Sequence, residues 1–243
     1  AGRKSPDLLM RMDDLLDKVG IKKEYVQIIW EEGNPVEVLR SVSKREEVDL
    51  LILGAMQHEA LFRYYIGSVA RKISRKPPCS LLLVTHPSKN ESGLDSVVIN
   101  GIDHPKTKTS IETALTFANQ FDVHDVSIVE EVSSKKVKTK IDDDQSVEKA
   151  FKEKEVVQSV EDKRIEEIIE HIQNRGRAKI ETKCVFGKAG YSISHFAEVK
   201  KADLLVVNSP DEKLGFLDKF FPHDLEYILS DLPCDLMIVE KND

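Results

Sequence analysis

Apolar and polar positions alternate along the chain in two rhythms, one of helices and one of buried strands. Residues 7–19 put Leu8, Leu9, Met12, Leu15 and Leu16 on one face, with Gly20 as the stop, and predict a helix. Tyr25–Trp30 reads as a strand, with Trp30 in the core. Val36–Arg45 reads as a helix opened by Pro35. Asp49–Gly54 and Ser80–Thr85 are continuous apolar runs, the mark of buried parallel strands, and Gly67–Arg75 between them reads as a helix. A polar stretch with Pro87 and Gly93 follows and predicts a linker.

The rhythm then restarts. Ser96–Asn100 predicts a strand, Thr107–Gln120 a helix and Asp125–Glu131 a strand. Ser133–Asp144 is charged, with little apolar content, and predicts a mobile, solvated loop. Residues 147–175 carry an apolar stripe through Val157, Val160, Ile165, Ile168, Ile169 and Ile172. Strand 179–186, helix 190–200, strand 203–208, helix 224–231 and strand 235–239 complete the pattern. Strands alternating with helices imply crossover connections and a parallel sheet, an α/β fold.

The restart is an internal repeat. Gly33 and Gly187 lie 154 residues apart, as do Leu39 and Ile193, and Asp49 and Asp203. Asp49-Leu50-Leu51-Ile52-Leu53 matches Asp203-Leu204-Leu205-Val206-Val207, and Pro78-Cys79 matches Pro233-Cys234 at a spacing of 155. The chain divides into residues 1–87 and 94–243. At the same spacing the strand–helix–strand unit of residues 95–131 has no counterpart in the first copy, which starts inside its second helix.

Composition narrows the function classes. Charged residues make up 33% of the 243 and the formal charge is −7, which argues against a broad nucleic-acid footprint. No apolar run approaches the ~20 residues of a membrane span, and the start of the chain does not read as a leader. Cys79, Cys184 and Cys234 have no CxxC spacing, so reduced thiols in a cytoplasmic protein are expected, with Cys79 and Cys234 acting as small hydrophobes before buried strands. The seven histidines are scattered and predict no metal site.

Gly33-Asn34-Pro35, Val48-Asp49-Leu50-Leu51-Ile52-Leu53-Gly54, Gly67-Ser68 and Pro78-Cys79 resemble the universal stress protein family. Gly187-Lys188-Ala189, Ala202-Asp203-Leu204-Leu205-Val206-Val207 and Pro233-Cys234 repeat the resemblance. It implies two doubly wound parallel-sheet units of the adenine nucleotide alpha hydrolase-like type, with strand order 3-2-1-4-5. The first unit is then incomplete, lacking its first strand, helix and second strand. ATP-binding members carry Gly-x2-Gly-x9-Gly-(Ser/Thr) after the fourth strand. Glycines there let backbone N–H groups approach phosphates, and the helix start beneath favours negative charge. In the first copy the spacing is Gly54, Gln57 and Gly67-Ser68, with Gln57 in place of the second glycine. In the second copy the same register gives Asn208, Asp211, Pro222 and His223, a degenerate loop in which Pro222 has no N–H and Asp211-Glu212 would repel phosphate. The nucleotide-contacting aspartate that the family carries after its first strand has Asp103 as its nearest candidate, about three residues out of spacing.

The resemblance therefore implies a non-enzymatic regulatory or stress-response protein. ATP or another adenine nucleotide is expected to be held weakly, if at all, in the first unit and not in the second, with no metal expected beyond nucleotide-bound magnesium. The alternatives are a cytosolic regulatory part of a larger protein such as a membrane transporter and, more weakly, an ATP-using enzyme on the same fold. The two copies are expected to pack as a pseudo-dimer through Ser80–Thr85 and Asp235–Val239, because open apolar edges invite pairing. A missing amino-terminal segment or a second chain is expected to complete the first unit.

Overall fold

The computed structural model describes residues 6–57, 64–85, 93–140, 142–173, 175–210 and 222–240. The expected linker, residues 86–92, and the Asp211-Glu212 pair lie outside them. The first half runs α1 (Pro6–Lys18), α2 (Pro35–Arg45), β1 (Leu50–Gly54), β2 (Met56–Gln57), β3 (Tyr64–Tyr65), α3 (Ser68–Arg75) and β4 (Ser80–Val84). The second runs β5 (Ser96–Asn100), α4 (Thr107–Gln120), β6 (Asp125–Ser133), α5 (Asp144–Glu170), β7 (Lys179–Gly187), α6 (Tyr191–Lys200), β8 (Leu204–Asn208), α7 (Pro222–Ser230) and β9 (Asp235–Val239).

Local chemistry sets the helix starts. Gly33 takes φ +140°, which suits only glycine, and turns the chain into Asn34, whose side chain accepts from Val36 N at 3.0 Å. Pro35 then opens α2 without wasting a donor. Asp143 and Ser146 form a reciprocal capping box on α5.

Seven strands form one sheet in the order β1-β4-β9-β8-β5-β6-β7, and β2 pairs β3 in a small separate hairpin. All neighbours in the large sheet are parallel except β4 and β9, which run antiparallel with Leu81 opposite Ile238, Leu82 opposite Met237 and Leu83 opposite Leu236. Helices α2, α3, α6 and α7 pack on one face, over a core that includes Ile73, Leu83, Ile193, Leu205, Leu225 and Leu236. Helices α4 and α5 cover the other face through Ile111, Leu115 and Ile165 over Val97, Ile128 and Val206. Each fully buried aliphatic side chain contributes about 1.5–3 kcal/mol. Cys79 and Cys234 lie in this interior as free thiols, and burial pushes both above their ordinary range. The seam between the halves is also bridged outside the sheet. Arg71 and Arg75 of α3 meet Glu226 of α7 at 3.0 and 2.6 Å, and Asp235 accepts from the Thr85 N–H and hydroxyl at 2.8 and 2.7 Å.

The structure departs from the sequence pattern in three places. Tyr25–Trp30 is not a strand: residues 23–25 form a single 3-10 turn and 26–30 are irregular. Its repeat counterpart is β7, which is a strand because it pairs with β6 over nine residues. Among the described residues no strand stands in that relation to residues 25–30, and an extended segment without a neighbour has no ladder to hold it. Trp30 is accordingly 40% exposed and not in the core. Asp49–Leu53 lies in a strand that is neither central nor fully buried. β1 ends the sheet, and Ile52 is 58% exposed because only β4 flanks the strand. Residues 134–140, expected as a mobile loop, are tied to α5, where the Glu153 carboxylate accepts from Lys138 N, Thr139 N and the Thr139 hydroxyl at 2.7–3.1 Å.

Candidate functional site

In a wound parallel sheet the ligand crevice opens where connections leave two adjacent strands in opposite directions, beyond their carboxyl ends. Here β5 leads to β6 on one side and β8 to β9 on the other, so the crevice lies past Asn100 and Asn208. Both asparagines are buried. Asn100 Oδ1 accepts from Ile102 N at 3.2 Å, and Asn208 accepts from the Ser110 hydroxyl at 2.5 Å and donates to Thr107 Oγ1 at 3.0 Å. Thr107 in turn donates to the Ile102 carbonyl. Lys106 closes the outer edge, with Nζ 2.8 Å from Ser209 Oγ and 3.4 Å from Glu240 Oε1. The crevice is stitched by its own side chains. A ligand would have to replace several hydrogen bonds, each worth about 1 kcal/mol net.

Beside it lies a buried ionic group. Arg164 of α5 reaches Glu130 Oε2 at 2.7 Å and Glu161 Oε2 at 2.9 Å, and also donates to the Gly101 carbonyl. Lys136 pairs with Glu161 at 2.9 Å. Two carboxyl groups meet two cations, and their charges balance once both carboxyls are ionised. Burial pushes Glu130 up to about 8 against the pull of Arg164. Burial alone would also raise Glu161, but Lys136 and Arg164 hold it below its ordinary value.

Glu131 faces the opposite side of the sheet from Glu130 because successive strand residues alternate. Its carboxylate accepts from Gly190 N at 3.0 Å and Ile193 N at 2.8 Å, taking up the free donors at the start of α6. Burial nonetheless pushes it up to about 7, with Asp224 adding to the rise. Gly190 holds φ +75°, and a Cβ there would stand 2.2 Å from the Asp224 carbonyl oxygen.

The residues singled out in the first half meet at a different end of the molecule. The β2–β3 hairpin pairs Met56 with Tyr65 and Gln57 with Tyr64. Gly54 ends β1 two residues before this hairpin, and Gly67 follows it by two. Gly67 caps α3 with no side chain to offer, Ser68 is the first helical residue, and the first turn holds no acid. A Cβ at Gly54 or Gly67 meets no described atom within 4 Å, and neither residue has a positive φ. Among the described residues neither glycine is demanded by backbone or packing, unlike Gly190, and the start of α3 offers free backbone N–H groups beside Gly67.

Asp103 does not join this group. It is exposed after β5, its backbone N–H serves Glu130, and the antiparallel seam puts the carboxyl ends of β5 and β8 at the opposite edge of the sheet from that of β1. Pro222 opens α7, as its lack of an N–H suits. Sequence reasoning missed Asn100, Lys106, Glu130, Glu131 and Arg164. A polar residue closing an apolar strand was the available signal for Asn100, and two adjacent glutamates inside one for Glu130 and Glu131.

A wound α/β sheet of parallel strands, with crevices past the strand ends, is the architecture of universal stress proteins. Residues 5–85, a third of the chain, match the family model described as the Universal stress protein family. Among curated proteins, the Universal stress protein E homolog of Haemophilus influenzae is 34% identical over 83 residues, covering 34% of this chain and only 26% of that relative. A universal stress protein from Archaeoglobus fulgidus shares the fold at a TM-score of 0.58 and 14% identity, over 100% of this chain and 82% of the other. A functionally unknown protein from Pseudomonas aeruginosa does so at 0.62 and 14%, over 98% and 79%. Among the described residues no helix is long and apolar enough to cross a membrane, and no cluster of three or more His, Cys, Asp or Glu side chains is placed to hold a metal.

Proposed function

We propose that this chain is a tandem universal-stress-type regulatory protein of the cytoplasm, with units at 1–87 and 94–243 joined as a pseudo-dimer through β4 and β9. It binds and signals through contacts and does no bond-making chemistry. In this reading Gly54, Gly67 and Ser68 take the phosphates of an adenine nucleotide with its magnesium, and the second crevice takes none. The observation that carries it is the contrast between the two ends. Among the described residues Gly54 and Gly67 leave open the space where a Cβ would stand, whereas Asn208, at the repeat position of Gly54, is buried and bonded to Ser110 and Thr107. Gln57 in place of a glycine makes the affinity modest.

Calorimetry with Mg-ATP on the intact chain tests this. One weak site is expected, and Ser68→Ala weakens it by about tenfold or more, since a hydrogen bond to a charged group is worth ~1.5–3 kcal/mol. Two tight sites, or one site that survives Gly67→Val, would refute the assignment.

A further inference from the structure

One end of the sheet is β7, which pairs with β6 along all nine of its residues. Among the described residues no strand lies on its other side. It holds no proline, and its register with β6 runs from Asp125–Lys179 to Ser133–Gly187 without a bulge. A long, regular edge of this kind is a template for another strand unless something blunts it.

Charge is a common deterrent at an edge, and β7 carries lysines at 179 and 183. Here the charge is balanced within the strand. Side chains alternate, so Lys179, Glu181, Lys183 and Val185 share the α6 face, while Ile180, Thr182, Cys184 and Phe186 share the α5 face. Lys183 Nζ lies 2.7 Å from the Glu181 carboxylate. Lys200 of α6 lies 3.8 Å from Glu181 and 3.0 Å from Asp125. Glu181 and Lys183 both stay partly exposed, so each can also meet a charge across the edge.

The order of these charges is self-complementary in one register. Two copies can join β7 to β7 antiparallel about a two-fold axis normal to the sheet. Each face then stays on its own side, and the axis passes through one residue position. Centred on Glu181, the pairing sets Glu181 on Glu181 and Lys179 on Lys183, like on like. Centred on Lys183, it sets Lys183 on itself. Centred on Cys184, it leaves Glu181 opposite Gly187 and Lys183 opposite Val185, with no charge matched. Centred on Thr182, it sets Glu181 opposite Lys183 at both ends, Thr182 opposite Thr182 and Ile180 opposite Cys184. Opposite charges and Thr–Thr pairs directly across a ladder stabilise it, and like charges oppose it. Apolar surface continues beside this edge. Phe151 of α5 is exposed, and Lys154 lies over both its ring and that of Phe186, at 6.0 and 5.4 Å.

We propose that the outer edge of β7 is an interface for a second copy of this chain, paired antiparallel about Thr182 so that the two sheets become one. An unrelated extended peptide could satisfy the backbone groups, but the Glu181–Lys183 alternation matches a second β7. The proposal rests on neither the two-unit reading nor nucleotide binding, so each can fail alone.

Sedimentation equilibrium of the intact chain at low salt tests it, with a dimer expected. Glu181→Lys sets lysine opposite Lys183 of the other copy at both ends of the ladder, and Lys183→Glu sets glutamate opposite Glu181. Each variant alone should weaken the dimer about tenfold or more. An equal mixture of the two should restore it, because every charge then meets its opposite across the axis. Mixing cannot repair a folding defect or a role confined to one chain. Thiol oxidation should leave Cys184 unlinked between copies. In this register the two Cys184 positions stand four residues apart along the ladder, roughly 13 Å, beyond the reach of a disulfide. A parent that stays monomeric throughout the micromolar range, single variants that associate like the parent, or a mixture that stays monomeric would each overturn the proposal. A Cys184–Cys184 cross-link would overturn the register about Thr182.

Discussion

Gly190 and Gly54 are both glycines beside a crevice, yet the geometry assigns their replacement opposite outcomes. Gly190→Ala puts a Cβ on a residue at φ +75°, which costs about 1–2 kcal/mol for an L residue. That Cβ also stands 2.2 Å from Asp224 O and 2.8 Å from Asp224 C. These are backbone atoms, so relief requires α6 to move away from α7, an overpacking cost of about 1–3 kcal/mol. The sum is about 2–5 kcal/mol. For a chain of this size that lowers Tm by about 4–20 °C, at roughly 2–4 °C per kcal/mol. The Glu131 bond to Gly190 N is strained in the same step, so the loss is larger above pH 7, where that carboxylate is charged. Gly54→Ala meets open space at an ordinary φ. It should be neutral or stabilise by about 0.4–1 kcal/mol through the unfolded chain. Urea unfolding of the two variants beside the parent is the assay. A Gly190→Ala loss under 1 kcal/mol, or a Gly54→Ala loss above it, would show that the glycine geometry does not govern these positions.

Other expectations follow from the same contacts. Glu131 sits near pH 7 when folded against an ordinary 4.5, so the folded state binds the extra proton between those values. The contribution of Glu131 to stability should therefore fall by at most about 3 kcal/mol as pH rises from about 4.5 to 7, with Glu130 extending the fall to about 8. Glu131→Gln should shrink that fall in pH-stepped urea titrations without abolishing it, because Glu130 titrates in the same sense; an unchanged slope would exonerate Glu131. Leu83→Ala, fully buried at the seam, should cost about 2–5 kcal/mol by the same measurement. Glu226→Ala, which removes the partner of Arg71 and Arg75, should cost no more than about 1 kcal/mol, and less in high salt, since the pairs are partly exposed.

Periodicity located the elements well wherever a segment's structure depends on its own residues. The Asn34-Pro35 helix start and the runs at Leu81–Leu83 and Leu204–Val207 were readable because caps and continuous apolar strands are local or simply buried. Tyr25–Trp30 misled because a strand is a relation between two segments, and its alternating residues carry no record of whether a partner is present. The apolar run at Asp49–Leu53 misled for the same reason in milder form: composition suited to two neighbours does not supply the second. At the sites, spacing singles out Gly54 and Gly67-Ser68, whose role belongs to the proposed function. It does not single out Asn100, Arg164 and Glu131, since their roles depend on which side chains the sheet order brings together across as many as 63 residues of sequence.

The single antiparallel step between β4 and β9 makes the molecule a bar with a different face at either tip. Strands of five residues span roughly 17 Å, so the carboxyl end of β1 at Gly54 and the crevice past β5 and β8 look away from each other across that thickness. A partner that engages both has to reach over the sheet from one set of strand ends to the other, past a seam of three residue pairs, Leu81–Ile238 to Leu83–Leu236, with Glu226 and Asp235 bridging beside it.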